Sequence, residues 1–360
     1  MGKCTVAMDA RLVMGTSSGD STYWTSLVEA LATEAVDIDF LLISTGPKPT
    51  GVNLAANFSW REVKARSSRL WSLFAFPLAA KRLGANAIHA QYSLSPLVGS
   101  RGITTIHDVS FLIGPEWFKP RDRILLSRTV PAAAKRARKV LTVSETSKRE
   151  VESYIPSAKG KTVATPLACP SWIQRVDRNQ AREKVEAELG ISDPFLLTVS
   201  TRWPRKNMEL AVNAASLLDS RFSQRLVLTG KSGWGDLSVG TRGVASGYVD
   251  TEMLSCLYSA ADLYLAPSRH EGFGIPVLEA FRCGCPVICS SGGALPEVVG
   301  DSADVMTSWD PSDWANRING LLGDPSKLDS LRDLGLRREP TFSWAETARR
   351  TAEVYREVAG

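Results

Sequence analysis

Short runs of β-branched and aliphatic residues recur along this chain, each followed by a longer stretch with helical spacing, and that alternation constrains the fold more than any other feature. A strand, a covering helix and a second strand form a right-handed unit, so repeated alternation builds parallel sheets with helices on both faces. In the first half the predicted strands are Thr5–Met8, Asp39–Ile43, Ala87–Ala90, Ile103–Ile106 and Val140–Val143, with helices over Thr22–Thr33, Arg121–Arg136 and Ser147–Tyr154. In the second half Phe195–Val199, Leu226–Thr229, Leu263–Ala266 and Val287–Cys289 read as strands. Helices are expected there over Met208–Leu218, Glu252–Ala260, Pro276–Cys283, Pro311–Leu322 and Lys327–Leu334. Each half is thus an α/β, doubly wound unit. At 360 residues the chain accommodates two domains, each with its own core. The stretch 165–171 contains Pro166 and Pro170 and lacks periodicity, while Arg175–Leu189 reads as a solvated helix leading into the second sheet. The domains are therefore placed at 1–170 and 171–340, followed by a last helix, 341–360, with Trp344, Ala348, Ala352 and Tyr355 at helical spacing.

The hydrophobic fraction of 44% and charged fraction of 22% are those of a globular protein and exclude disorder. A formal charge of +5, from 43 basic and 38 acidic residues, is too small to argue for nucleic acid as a partner. Six cysteines without a CxxC pair, and no secretory signal, point to free thiols in a reducing cytoplasm. Cys283, Cys285 and Cys289 span a helix end and a buried strand, where packing explains them better than a metal does. The longest apolar run, Leu70 to Ala80, falls short of the roughly 18 residues of a membrane span and is expected to be a core helix, with surface docking left open. The basic stretch Arg121–Lys139 reads first as a solvated face and second as a patch for peripheral contact with an anionic membrane.

Glu271 and Glu279 lie seven residues apart across Gly-Phe-Gly-Ile-Pro-Val-Leu. Gly272 and Gly274 let the backbone come close to a bound group, and Pro276 suits the first turn of a helix. The N–H groups at that helix start favour an anion such as phosphate, and the two carboxylates can hold polar groups on either side of it. Sugar hydroxyls and a ribose fit this description. The segment 269–280 closely resembles the Glu-x7-Glu motif of the retaining glycosyltransferases of family 4, and Ile106–Leu112 followed by Pro115-Glu116-Trp117-Phe118 resembles a bacterial mannosyltransferase-like subset of that family.

The resemblance runs over nearly the whole chain and implies the GT-B fold: two facing Rossmann-like domains, with a C-terminal helix that crosses back to the first. It implies a nucleotide-sugar donor on the second domain, a glycan or lipid-linked acceptor on the first, no cofactor and no metal. Arg205 and Lys206, in Arg202-Trp-Pro-Arg-Lys-Asn207, resemble the family's diphosphate-binding pair; Arg202 is a further candidate, although Ser200-Thr201 stands where the family has Gly-Thr. On the same basis Glu271 and His107, the latter in Ile106-His107-Asp108, position the transferred sugar, and Glu279 binds the ribose. Gly272, Phe273, Gly274 and Ile275 contact the donor, Tyr248 and Val249 present backbone to the base, and Ser290–Gly293 lies beside the motif helix. Gly19 belongs to a loop beside the donor phosphates; Asp20 and Thr22 depart from the family pattern there and leave the acceptor contacts open. His89 is expected to be structural or at most on the acceptor side. Neither Gly230-Lys-Ser nor Gly230 to Gly235 makes an ordered P-loop or dinucleotide fingerprint. The expected reaction is metal-independent transfer of a hexose with retention, GDP-mannose being the first choice of donor and UDP-glucose the second. An epimerase or phosphorylase of the same fold, or a non-catalytic nucleotide-binding subunit, are the alternatives. The expected location is the cytoplasm, with peripheral contact at the inner face of the plasma membrane.

Overall fold

The computed structural model describes residues 4–15, 19–50, 54–231, 233 and 238–360. Ser18 of the Gly19 loop, and Ser232, Trp234 and Gly235 of the rejected glycine motifs, lie outside the described residues. The chain divides into two compact units, Met1–Leu167 with Ser343–Gly360, and Ala168–Phe342.

The first unit holds seven parallel strands: β1 (Thr5–Asp9), β2 (Asp39–Ser44), β3 (Phe58–Glu62), β4 (Ala87–Gln91), β5 (Gly102–Thr105), β6 (Lys139–Thr142) and β7 (Thr162–Ala164), in the order β3-β2-β1-β4-β5-β6-β7. Side chains alternate across a strand, and here the alternation sorts the core. Ala7, Leu41, Ile43, Ile88 and Ala90 face a cluster built with Trp71, Phe76, Val130 and Ala134. On the opposite face Phe40 and His89 meet Tyr355 of the terminal helix, Trp344–Ala359, and Trp24 of the helix Gly19–Glu34. The terminal helix buries Thr347, Ala348, Thr351, Ala352 and Tyr355, whose three- and four-residue spacing makes one stripe.

The second unit holds six parallel strands: β8 (Phe195–Val199), β9 (Arg225–Thr229), β10 (Gly243–Gly247), β11 (Leu263–Ala266), β12 (Val287–Ser290) and β13 (Asp304–Met306), in the order β10-β9-β8-β11-β12-β13. One face packs Leu196, Leu226, Leu263 and Ile288 against the helices Met208–Ser216 and Pro311–Leu322, around the fully buried Trp314. On the other, Tyr264 of β11 meets Tyr258 of the helix Thr251–Ala260, ring edge to face at 5.4 Å.

The run Leu70 to Ala80 corrects the expectation of a core helix. It is built from Ser68–Leu70, a π-helical turn Trp71–Ala75 and Phe76–Arg82. Pro77 has no N–H to give the turn before it, and the π-turn's extra residue shifts the helical phase. Phe76, five residues on, stacks over the buried Trp71 at 5.9 Å, while Leu73, Phe74 and Leu78 turn out to solvent. The edge strands β3, β7, β10 and β13 had not been predicted.

Candidate active site

The second sheet reverses its winding between β8 and β11, because β8 leads to β9 on one side and β11 to β12 on the other. The loops leaving these two strands therefore diverge and open a crevice at their carboxyl ends, where doubly wound sheets hold ligands. Residues 200–207 leave β8 and end in a short 3-10 turn, Pro204–Lys206. Residues 267–274 leave β11 and enter the helix Ile275–Arg282, with Gly274 at its N-cap. Backbone ties fasten the two loops: the Arg269 N–H donates to the Arg205 carbonyl at 2.8 Å, and an Arg205 guanidinium N–H donates to the His270 carbonyl.

Glu271 sits at the centre of this arrangement. Its Oε1 accepts from Lys206 Nζ and from Ser268 Oγ, both at 2.6 Å, and its Oε2 accepts from Arg205 Nη1 at 3.0 Å. Burial alone would raise its pKa, but the charges of Lys206 and Arg205, with the hydrogen bonds from Lys206 and Ser268, hold it at about 2. It is therefore a carboxylate throughout the physiological range. Two cations against one carboxylate leave this trio with a net positive charge, at the start of a helix whose dipole has the same sign. Thr198, Ser200, Lys206, Ser268, Glu271 and Pro276 are among the residues lining the crevice, which encloses about 300 Å³ including space open to solvent.

Glycines fix how closely the backbone strands of the site approach. Gly293 has φ +65°, and a Cβ there would stand 2.3 Å from the Glu271 carbonyl oxygen. The Ala294 N–H donates to that same carbonyl at 2.9 Å, so residues 290–293 brace the Glu271 loop from behind. Gly274, at φ +107°, occupies the left-handed region that begins the helix.

Glu279 lies on the same helix in a different setting. Its carboxyl group is buried and accepts from the Tyr258 hydroxyl at 2.9 Å. Burial pushes its pKa up to about 7, against weaker lowering by the Tyr258 hydrogen bond and Arg282. The buried Phe273 ring meets Phe342 edge to face at 5.6 Å. The neighbouring loops stack in strand order. The Arg202 N–H donates to the Lys231 carbonyl at 3.2 Å, the Gly230 N–H to the Gly247 carbonyl at 2.9 Å, and Lys231 Nζ lies 5.2 Å from the centre of the exposed Tyr248 ring, with Val249 next to it in the chain.

In the first unit His107 follows β5. Its Nε2 lies 2.8 Å from the Gln91 amide nitrogen and 3.7 Å from Asp20 Oδ1, and its ring meets Tyr23 edge to face at 4.8 Å. Burial lowers its pKa, opposed by Asp20 and Asp108, so the ring is neutral and Nε2 accepts from Gln91. Asp108 turns aside to accept from the Ser110 N–H at 2.9 Å. Gly19 opens its helix, and among the described residues nothing lies within 4 Å of where a Cβ would stand. His89 is wholly buried between the Tyr355 hydroxyl and Thr105 Oγ1, each at 2.7 Å, and burial lowers its pKa to about 3. Ser268, Tyr258 and Gln91 went unassigned in the sequence, while Asp20 stood out there only as a departure from the family pattern. None of the six cysteines is in a disulfide, and burial raises the thiols of Cys283 and Cys289 to about 12, so they pack as neutral side chains.

With this geometry in view, two family models match: Glycosyltransferase Family 4 over residues 17–167 and Glycosyl transferases group 1 over residues 193–324. An Escherichia coli O-antigen chain mannosyltransferase B is 34% identical over 273 residues, covering 71% of this chain and 70% of the relative. A D-inositol 3-phosphate glycosyltransferase of Catenulispora acidiphila is 27% identical, covering 95% of this chain and 91% of its own length. Among solved structures, the sucrose-phosphate synthase of Thermosynechococcus elongatus superposes with a TM-score of 0.76 at 21% identity, covering 99% of each chain. Anabaena HepE, in complex with UDP-glucose, gives 0.69 at 17% identity, covering 98% of this chain and 99% of that one. The chain therefore belongs to glycosyltransferase family 4, and it has the GT-B architecture of two parallel-sheet Rossmann-like domains.

Proposed function

We propose that this glycosyltransferase moves a hexose, with retention, from a nucleotide-sugar to a glycan or lipid-linked glycan acceptor, without a metal, at the cytoplasmic face of a membrane. The observation that carries this reading is the Glu271 carboxylate held by Arg205 and Lys206 at the switch point of the second sheet. Cleavage of a sugar–diphosphate bond builds negative charge on the departing phosphates and positive charge on the sugar, so cations and a carboxylate are needed side by side. Arg205, Lys206 and the helix start at Gly274 would take the diphosphate. Glu271 would orient the sugar hydroxyls, Glu279 the ribose, and the loops of Arg202, Tyr248 and Val249 the base. His107 is assigned a hydrogen bond to the transferred sugar; its neutral Nε2 is an acceptor already engaged by Gln91, which would have to release it. In retaining transfer the acceptor hydroxyl attacks on the face the leaving group departs from, and a donor phosphate oxygen takes its proton, so no protein base is required.

Mannose from GDP-mannose is the first choice, supported by the mannosyltransferase relatives; UDP-glucose is second, supported by the ligand of HepE. The test is thermal denaturation with excess GDP, UDP, ADP or NAD, each with a chelator. A ligand at a hundred times its dissociation constant adds about 2.7 kcal/mol to stability. Stabilisation by GDP or UDP selects the donor class. No response to either removes the donor assignment. The anomeric configuration of the product, read by proton NMR, tests retention, and an inverted product would overturn it.

A further inference from the structure

Seven of the fifteen large apolar side chains left exposed among the described residues come from one layer of the first unit. Leu70, Leu73, Phe74, Leu78 and Leu83 belong to residues 68–83, and Ile124 and Leu125 to the start of the helix Pro120–Arg136. Both segments cover the same face of the sheet, since Trp71, Phe76, Ala80, Val130 and Ala133 share one core cluster. The outward side chains result from a specific local geometry: the π-turn at Trp71–Ala75 keeps Trp71 and Phe76 inside and leaves Phe74, 52% exposed, and Leu78 outside.

The surrounding charge is predominantly positive, although Asp122 is exposed in the first turn of the helix Pro120–Arg136. Residues 63–139 contain fourteen Lys and Arg against three Asp and Glu, a surplus of eleven, while the whole chain carries +5. No acidic residue occurs between Glu62 and Asp108, and Lys64, Arg66, Arg69, Lys81, Arg82 and Arg101 are all exposed. We infer that the 68–83 strip and the start of the helix Pro120–Arg136 dock onto an anionic membrane surface. Leu73, Phe74 and Leu78 enter the boundary between headgroups and acyl chains, and the basic residues lie against the headgroups. Charge decides the occupant: a second copy of this chain would bring the same positive surplus and be repelled, whereas an anionic bilayer complements both the apolar strip and its flanks. The inference deepens the membrane-contact part of the function proposed above and is independent of the donor.

The test is co-sedimentation of the whole chain with vesicles of phosphatidylcholine alone and with 30% phosphatidylglycerol, in the absence of nucleotide and acceptor (~30%, chosen to set a strongly negative surface). Wild type is expected to bind the anionic vesicles, to bind neutral ones at least ~10-fold more weakly, and to be released by about 0.5 M salt. Leu73→Ser/Phe74→Ser and Lys81→Glu/Arg82→Glu change exposed side chains and should keep the wild-type melting temperature, while each lowers the partition coefficient by ~10-fold or more. Failure of wild type to bind, equal binding to neutral vesicles, or unchanged binding by Leu73→Ser/Phe74→Ser would overturn the inference. Loss of nucleotide stabilisation would count against the donor site and leave this result untouched.

Discussion

Two glutamates of one motif stand in opposite electrostatic states, and that separates their contributions. Glu271, held at about 2 by burial's being outweighed by Lys206 and Arg205, has a pKa below its unfolded value. Its stabilising contribution is present above an unfolded pKa of about 4.5 and is lost as pH falls toward 2. Glu279, raised to about 7 by burial, behaves the other way: its contribution is present below about 4.5 and is lost as pH rises through 7. Glu279→Gln, which copies the protonated carboxyl, should therefore melt higher than wild type at pH 8, by up to about 3 kcal/mol, with the difference vanishing near pH 4. A pH-independent difference would show that the carboxyl is not protonated on folding. If Glu271 has the proposed role toward the sugar, Glu271→Gln should lower turnover by about 10²–10³-fold, with a folded circular-dichroism spectrum, since it removes the charge and keeps the shape. Unchanged turnover would take Glu271 out of the mechanism. Arg205, Lys206, Glu271 and Glu279 were legible because each sits in a short contiguous motif. Tyr258 and Gln91 were not, because a hydrogen-bond partner 21 or 16 residues away is chosen by tertiary packing, not by local spacing.

At the scale of elements, the same logic explains which strands could be read. All nine strands that the sequence marked are present with shifts of one residue or none at their starts, and all nine are interior strands, such as the near-completely buried β1, β4, β8 and β11. The four that it missed are the sheet edges: β3 ends in exposed Arg61 and Glu62, β10 is Gly-Val-Ala-Ser-Gly, and β7 and β13 have three residues each. An edge strand is covered less and need not be hydrophobic, so its pattern fades into that of a loop. The brace behind Glu271 was read only as a segment, Ser290–Gly293, beside the motif helix; its bracing role follows from the 2.3 Å that a Cβ at Gly293 would leave to the Glu271 carbonyl. Gly293→Ala is expected to displace the Glu271 loop, lowering turnover at least ~10-fold and stability by about 1–3 kcal/mol, as strain at a left-handed position does. Kinetics and denaturant melts check both, and wild-type values in both would show that the loop yields without consequence.

At the scale of the molecule, sequence order and structural unit part company at the end of the chain. Residues 168–342 contain a complete six-stranded sheet with helices on both faces and their own core around Trp314, enough for a domain to fold alone. In the first unit residues 343–360 supply part of one covering layer, because the terminal helix packs on Gly19–Glu34 and buries Thr347, Ala348, Thr351, Ala352, Val354 and Tyr355. Its removal also takes the Tyr355 hydroxyl from His89, leaving a buried ring nitrogen unpaired at a cost of about 1–3 kcal/mol. With about 1–2 kcal/mol for each apolar side chain uncovered, the loss approaches the 5–15 kcal/mol that stabilises a typical domain. A fragment of residues 168–342 should therefore unfold in one cooperative transition and retain the nucleotide stabilisation of the whole chain. A fragment of residues 1–167 should show no cooperative transition, and one joining 1–167 to 343–360 through a flexible linker should recover it. Calorimetry of the three fragments distinguishes this from a terminal helix that merely decorates a self-sufficient fold, in which case residues 1–167 would melt cooperatively without it.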